Sequence, residues 1–191
     1  MKATAGSRFN AANYLEKHDR NLTFLTAMTS CYIIGMTIIP YFLKLPPKVA
    51  DELNLFTVFC SIVILVSALL QNSQRNAVNA EQHHRSALEI NELRRALEVH
   101  GNSISKKDVE EVTSKYNAVL QKYSINHTTL DYQKYLAENP EKFPWCGRIA
   151  RYRIHLCCAA RDYVALIWLF VITAIFVVVV IFRVMPSVAS G

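Results

Sequence analysis

"YVALIWLFVITAIFVVVVIF", Tyr163–Phe182, is apolar on every face of a helix drawn through it and closes on FVVVVIF. A helix that is apolar all round is a membrane span or the centre of a large protein, and a chain of 191 residues is small for the second. Two more uncharged runs precede it. Asn21–Leu43 lies between Arg20 and Lys44, and Leu53–Gln74 lies between Glu52 and Arg75. Each run holds 20 to 23 residues, and about 20 suffice to cross a bilayer as a helix. The leader before the first run carries both charge signs, and no small-x-small cleavage site follows that run, so it does not read as a signal peptide. All three runs are expected to stay in the membrane.

Orientation follows from the basic residues. Of 21 Lys and Arg, four precede the first run, two sit between the first and second, 14 lie between Arg75 and Asp162, and one follows the third. Lys and Arg accumulate on the cytoplasmic side. The chain therefore divides into a cytoplasmic N-terminal segment (1–20), spans at 21–43, 53–74 and 163–182, a short external loop (44–52), a cytoplasmic helical domain (75–162) and an external tail (183–191). The formal charge is +6, of which the middle region holds +3 (14 basic, 11 acidic). That is topology signal rather than a nucleic-acid footprint.

The expected fold is an all-α membrane protein. Three transmembrane helices carry a cytoplasmic bundle built from extensions of spans 2 and 3 and from short bridging helices. Between Leu53 and Val99 there is no glycine or proline, so one helix is expected to leave the membrane and continue as a stalk until Gly101-Asn102. Ile90, Leu93 and Leu97 share a face of it. In "ISKKDVEEV", Ser105 can cap a helix, Asp108 stands at its third position and Ile104 can staple onto Val109. Val109, Val112, Tyr116, Val119, Leu120 and Tyr123 then form an apolar stripe. A short helix is expected around Thr129–Glu138, and Pro144-Trp145 is placed to open a last helix running into the third span.

Chemistry-bearing patterns are sparse. The five cysteines show no zinc spacing, and His83 and His84 point about 100° apart around a helix, too far to share a metal. No glycine-rich phosphate loop, HExxH or Ser/His/Asp set occurs, so the sequence lends no support to an enzyme or to a cofactor. No ionisable side chain lies inside a span, which counts against proton-coupled transport.

Arg75, His84 and Ile90-x-x-Leu93 after two closely spaced spans, followed by "YNAVLQKYSINHTTLDYQKY" with Tyr116, Leu120, His127 and Asp131, are similar to the SLATT domains. These are two-membrane-helix effectors associated with bacterial nucleotidyltransferases and nucleotide-sensor domains. The resemblance covers about Asn10–Tyr135, and the third span stands as an additional C-terminal helix. It implies a membrane effector of bacterial anti-phage defence (abortive infection), in the inner membrane. Such an effector is expected to form an oligomeric pore or ion channel controlled by a nucleotide or oligonucleotide signal from a partner nucleotidyltransferase-type enzyme. The alternative is a non-channel membrane scaffold that recruits a cytosolic partner protein. A membrane enzyme acting on lipid ranks below both.

Two sets of residues are candidates for these roles. Thr23, Thr26, Ser30 and Thr37 fall within about 60° of one another on the first span, a stripe that suits either pore lining or close helix packing. Because three helices alone enclose no aqueous path, a pore requires a homo-oligomer. Arg85, Arg94 and Arg95 on the stalk, and Arg148, Arg151 and His155 near the third span, are candidates to meet an anionic signal, since guanidinium groups offer forked donors to phosphate. Positive-inside topology is the favoured explanation of Arg148 and Arg151, as of Arg153 and Arg161, and pairing with Glu89, Glu92 and Glu98 explains Arg94 and Arg95 equally well.

Overall fold

The computed structural model describes residues 1–100, 105–179 and 182. Among the described residues there are six α-helices and no strand: α1 Lys2–Leu43, α2 Pro47–Gln74, α3 Asn76–His100, α4 Lys106–Lys122, α5 Thr129–Glu138 and α6 Arg148–Val179. Three helices are long and apolar enough to cross a membrane, so this is an all-α fold of membrane type. The chain forms two compact units, one from Met1–His18 and Arg75–Asp162, the other from Asp19–Gln74 and the residues from Tyr163 on.

The first unit holds most of the chain's charged residues. The bundle expected from extensions of spans 2 and 3 has a third contributor, because the N-terminal segment is itself helical and central to it. Ala5, Ser7, Arg8, Asn10, Ala11 and Ala12 of α1 are all buried. The alanines and Ser7 let α1 approach its neighbours closely, and at Gly6 a Cβ would overlap the Tyr135 ring. Ala5 packs with Ile90 of α3, with Val119 of α4 and with Tyr123 at the C-cap of α4, while Met1, Leu93, Tyr116, Leu120 and Ile125 close around them. Fully burying a side chain such as Ile90 contributes about 1.5–3 kcal/mol. The apolar stripe of α4 is thus half used: Val119 and Tyr123 are buried, but Val109 is exposed.

The capping signals act as read. The Ser105 side chain accepts from the Asp108 N–H, and Asp108 returns a bond from the Ser105 N–H, reciprocally satisfying two N–H groups that a helix start leaves orphaned. Thr128 and Asp131 repeat this box on α5. Gly101-Asn102 and the Ile104 staple lie outside the described residues, as does the tail 183–191.

Two boundaries differ from expectation. The stalk is not one helix with span 2: Arg75 has φ 50°, a left-handed conformation that breaks the i to i−4 ladder, and α3 restarts with the Asn79 N–H donating to the Arg75 carbonyl at 2.9 Å. The last helix opens later than Pro144. The Phe143 carbonyl instead accepts from the Cys146 N–H, closing a turn, and the helix begins with the Arg151 N–H on the Gly147 carbonyl at 3.0 Å.

In the second unit the relation of polarity to burial is reversed. Phe24, Ile34, Phe42, Leu55, Phe59, Leu65 and Phe170 are all exposed, as side chains that face lipid should be. Hydroxyls turn back onto their own helices: Thr29 Oγ1 donates to the Leu25 carbonyl and Ser61 Oγ to the Thr57 carbonyl, at 2.8 and 2.7 Å. α6 has an inward face as well as a lipid face, since Tyr32 stacks on Phe176 at 5.1 Å and its hydroxyl meets Thr173 Oγ1 at 2.8 Å. At the turn between α1 and α2, Leu45 and Leu53 pack with Ile39 and Val49, and Pro47 takes the first helical position, where a missing N–H costs nothing.

Candidate functional site

The first unit encloses polar side chains that ordinary core packing does not require. Arg8 is only 2% exposed. Its Nη1 donates to Ser86 Oγ and its Nη2 to the Ile125 carbonyl at 3.3 Å, but its Nε has no hydrogen-bond partner among the described residues. No carboxylate among them pairs with it either. A buried guanidinium without a counter-charge is costly, and burial pushes Arg8 below its ordinary pKa.

Next to Arg8 stand two imidazoles. His83 lies one turn before Ser86 on α3, is buried, and leaves Nδ1 without a partner among the described residues. Burial, followed by the positive charge of Arg8, pulls its pKa down to about 4. His127 is lowered by the same two causes in the same order, and its Nδ1 is likewise unpartnered among the described residues. Both imidazoles are therefore neutral at pH 7.

Asp131, the carboxylate in the cavity lining, is already committed. It is 1% exposed; it caps α5 through Thr128 and takes a bond from Arg161 Nη2 at 3.0 Å. The Arg161 guanidinium also lies 3.6 Å above the Tyr14 ring, and its neighbour Asp162 pairs with Lys17 of α1 at 3.2 Å. With Asp131 offset by Arg161, the charge of Arg8 is left over. A cavity of about 250 Å³ opens among these groups, lined by Tyr14, Asn79, His83, Asn126, Thr128 and Asp131 with Ala11, Leu15 and Ile125. It offers hydrogen-bonding groups and two aromatic rings, and the charged side chain in its lining is Asp131, with Arg8 behind His83 rather than in the wall. That combination suits a planar polar ligand. Among the described residues no group of three His, Cys, Asp or Glu side chains is placed to hold a metal.

The signal candidates read from the sequence lie elsewhere. Arg85 is exposed and bound to Glu81 at 2.5 Å, and Arg94 is bound to Glu98 at 3.0 Å. Arg95, Arg148 and His155 are exposed. Arg151 Nε donates to the Cys146 carbonyl at 2.7 Å, fastening the start of α6. None of the six lines the polar cavity, and neither does Arg8. Sequence reading missed Arg8, Tyr14 and His83 as partners. One signal was available: Arg8 sits among Ala, Gly and Ser with no acidic residue before Glu16, so no helical neighbour can neutralise it.

The four hydroxyl residues of the first span divide. Thr23, Ser30 and Thr37 donate to the carbonyls of Asp19, Thr26 and Ile33 at 2.8–2.9 Å. Thr23 and Thr37 are exposed, whereas Thr26 lines a cavity of about 270 Å³ with Thr29, Tyr32, Cys60 and Ser67 amid apolar side chains. Within one chain they do not line a common path.

Residues 1–184 match the SMODS and SLOG-associating 2TM effector domain family 5. The chain belongs to the SLATT family. The match runs through all three long apolar helices although the name counts two, so α6 lies within the matched region. SLATT domains are effector domains associated with SMODS and SLOG defence systems, and are not a known enzyme family. No curated protein and no solved structure matches this chain. Of the residues that carried the resemblance, Ile90, Leu93, Tyr116 and Leu120 build the apolar core, Arg75 forms the helix break, His84 packs edge-on against Phe9 at 5.4 Å, and His127 and Asp131 belong to the polar cluster. Most of that SLATT pattern is therefore architecture, and its last two positions flank the cavity.

Proposed function

We propose that this SLATT protein is an oligomeric pore of the bacterial inner membrane, with residues 75–162 and the N-terminus in the cytoplasm and the C-terminus outside. A nucleotide or oligonucleotide made by a partner nucleotidyltransferase-type enzyme controls it by binding in the polar cavity beside His83. The observation that carries this reading is the uncompensated Arg8. Arg8, a buried cation with no paired carboxylate among the described residues, does not itself line the cavity of about 250 Å³ and uses both Nη donors on Ser86 and the Ile125 carbonyl. What it offers a phosphate there is its charge, felt through the neighbouring His83, rather than direct hydrogen bonds. Association of the family with SMODS and SLOG systems supports a nucleotide as the source of that phosphate.

The test is ion flux from liposomes carrying the full chain, with and without the product of a neighbouring nucleotidyltransferase. The expected result is flux that changes with the nucleotide in the native chain and no longer changes in Arg8→Gln, whose insertion is checked by protease protection. A nucleotide response that survives Arg8→Gln unaltered overturns the assignment of the site. Absence of flux under both conditions, from a chain that binds nucleotide, overturns the pore.

A further inference from the structure

The juxtamembrane half of α6 carries an apolar stripe that nothing in its own unit covers. Ile149, Tyr152 and Leu156 are 79%, 71% and 58% exposed, and Trp145 just before the helix is exposed too. Spacings of 3 and 4 residues place Ile149, Tyr152 and Leu156 on one face, the pattern of a helix that packs against another surface. No acidic residue occurs between Gly147 and Arg161, and Arg148, Arg153 and His155 flank the stripe in the open. Its partner must be apolar at the centre and acidic at the rim.

Such a surface exists on this chain. α3 and the end of α4 border an open groove of about 830 Å³ where Val78, Leu88 and Tyr123 lie among charged side chains. Glu81 pairs with Arg85 and Glu89 with Lys122, each at 2.5 Å, so Glu92 is the acid left to meet a basic partner. Val78 and Leu88 are exposed, and no α6 residue lines the groove. We propose that the α6 stripe of one chain docks in the α3–α4 groove of a second copy. This rests on the oligomeric reading above. Stripe and groove are different surfaces, so each copy can offer one to either neighbour and the contact repeats head to tail, the arrangement that closes rings.

Other occupants fit less well. Lipid would require residues 149–156 to lie in the membrane plane, but α6 is a single helix from Arg148 to Val179 whose later part is the apolar run. A second α6 would set Arg148 against Arg153 along a parallel seam, juxtaposing like charges. Copies in one bilayer share their orientation, and stripe and groove both lie between the second and third apolar runs, so they face the same side of it.

The experiment places a photo-crosslinking benzoylphenylalanine at Tyr152, and separately at Ile149, in the full chain in nanodiscs assembled from a mixture of isotope-labelled and unlabelled copies. Irradiation is expected to give dimers whose mixed-isotope peptides join α6 to residues 77–92 or 122–123. Arg148→Glu with Arg153→Glu should cut the adduct about tenfold, and adding Glu92→Arg should recover most of it. Adducts confined to lipid, to α6 of another copy or to the same copy overturn the proposal, as does an absence of adduct at both positions. Flux without the adduct removes this interface and leaves the pore standing, whereas the adduct without flux does the reverse.

Discussion

Within α1 the first turns bury Ser7, Arg8, Asn10 and Ala11, while towards its end Phe24, Ile34 and Phe42 stand exposed. The difference between these two stretches is one of surroundings. In the first unit water is the solvent, so a buried polar group must find its partner across helices: Arg8 reaches Ser86, and Asn10 Nδ2 reaches the Asp131 carbonyl at 3.3 Å. In the second unit the surroundings are lipid, and hydroxyls are satisfied within a single turn, as Thr37 is by the Ile33 carbonyl at 2.9 Å. Polar groups in the first unit thus tie elements together. In the second unit most hydroxyls are silent, with Tyr32 on Thr173 and Gln71 on Thr23 as exceptions. Disturbing a polar side chain should accordingly cost much in one unit and little in the other.

The largest effect is expected at Asp131. Asp131→Ala removes the α5 capping box and leaves Arg161, 18% exposed in its side chain, without its carboxylate partner at 3.0 Å. Breaking a buried pair from one side costs about 3–5 kcal/mol. Thermal unfolding in nanodiscs, followed by the fluorescence of Trp145, should show it. The double variant Asp131→Ala, Arg161→Ala should lose less than the sum of the two single changes. A loss below about 1 kcal/mol would mean that the polar core does not hold the unit together.

Acid should produce the next largest effect, with a definite sign. The pKa of His83 is about 4 in the folded chain and about 6.5 when unfolded, so below the higher value the unfolded chain binds the extra proton. Stability is complete above about pH 6.5, falls as pH drops, and has lost about 3 kcal/mol from this group once pH passes through 4. His127 shifts in the same direction and adds to the slope, Arg8 opposes protonation of both, and Asp131 favours it. Unfolding measured from pH 7 to 4.5 should show this slope, and His83→Asn should flatten it. An anion bound beside His83 should also flatten it, by favouring the protonated ring.

What was legible in the sequence follows the same division. Lipid-facing helices announce themselves by composition, because every face must be apolar, and all three runs fall on helices long enough to span. Local chemistry was legible as well: the Ser105–Asp108 box needs only four adjacent residues. The N-terminal helix was not read as part of the bundle, because "ATAGSRFNAAN" buries small and polar side chains and so carries no apolar stripe. The cavity was harder still. Its lining comes from α1, α3, α5 and the segment before α5, so only the tertiary fold brings Tyr14, His83 and Asp131 together. The Arg75 break escaped notice because a left-handed residue is usually signalled by glycine or asparagine, and arginine gives no such signal.

Thr37 should give the smallest change in stability and so sharpens the comparison most. Its hydroxyl donates to a carbonyl of its own helix and is exposed in a single chain. Thr37→Val keeps the side-chain shape and removes only that bond, from a carbonyl at i−4 that the helix backbone already serves. The expected cost is under about 0.5 kcal/mol. Function is predicted to respond differently. If several copies place Thr37 along a water path, the valine methyl takes a hydrogen-bonding group from the wall and makes that point harder to wet. Ion flux should then fall while unfolding temperature and particle size stay the same. Placing valine at Thr23 and at Thr37 in separate chains locates the effect, since Thr23 also accepts from Gln71 Nε2 at 3.2 Å. A flux as indifferent as the stability would leave the first-span hydroxyls to helix packing or lipid contact. The path would then have to be sought along another face of the spans.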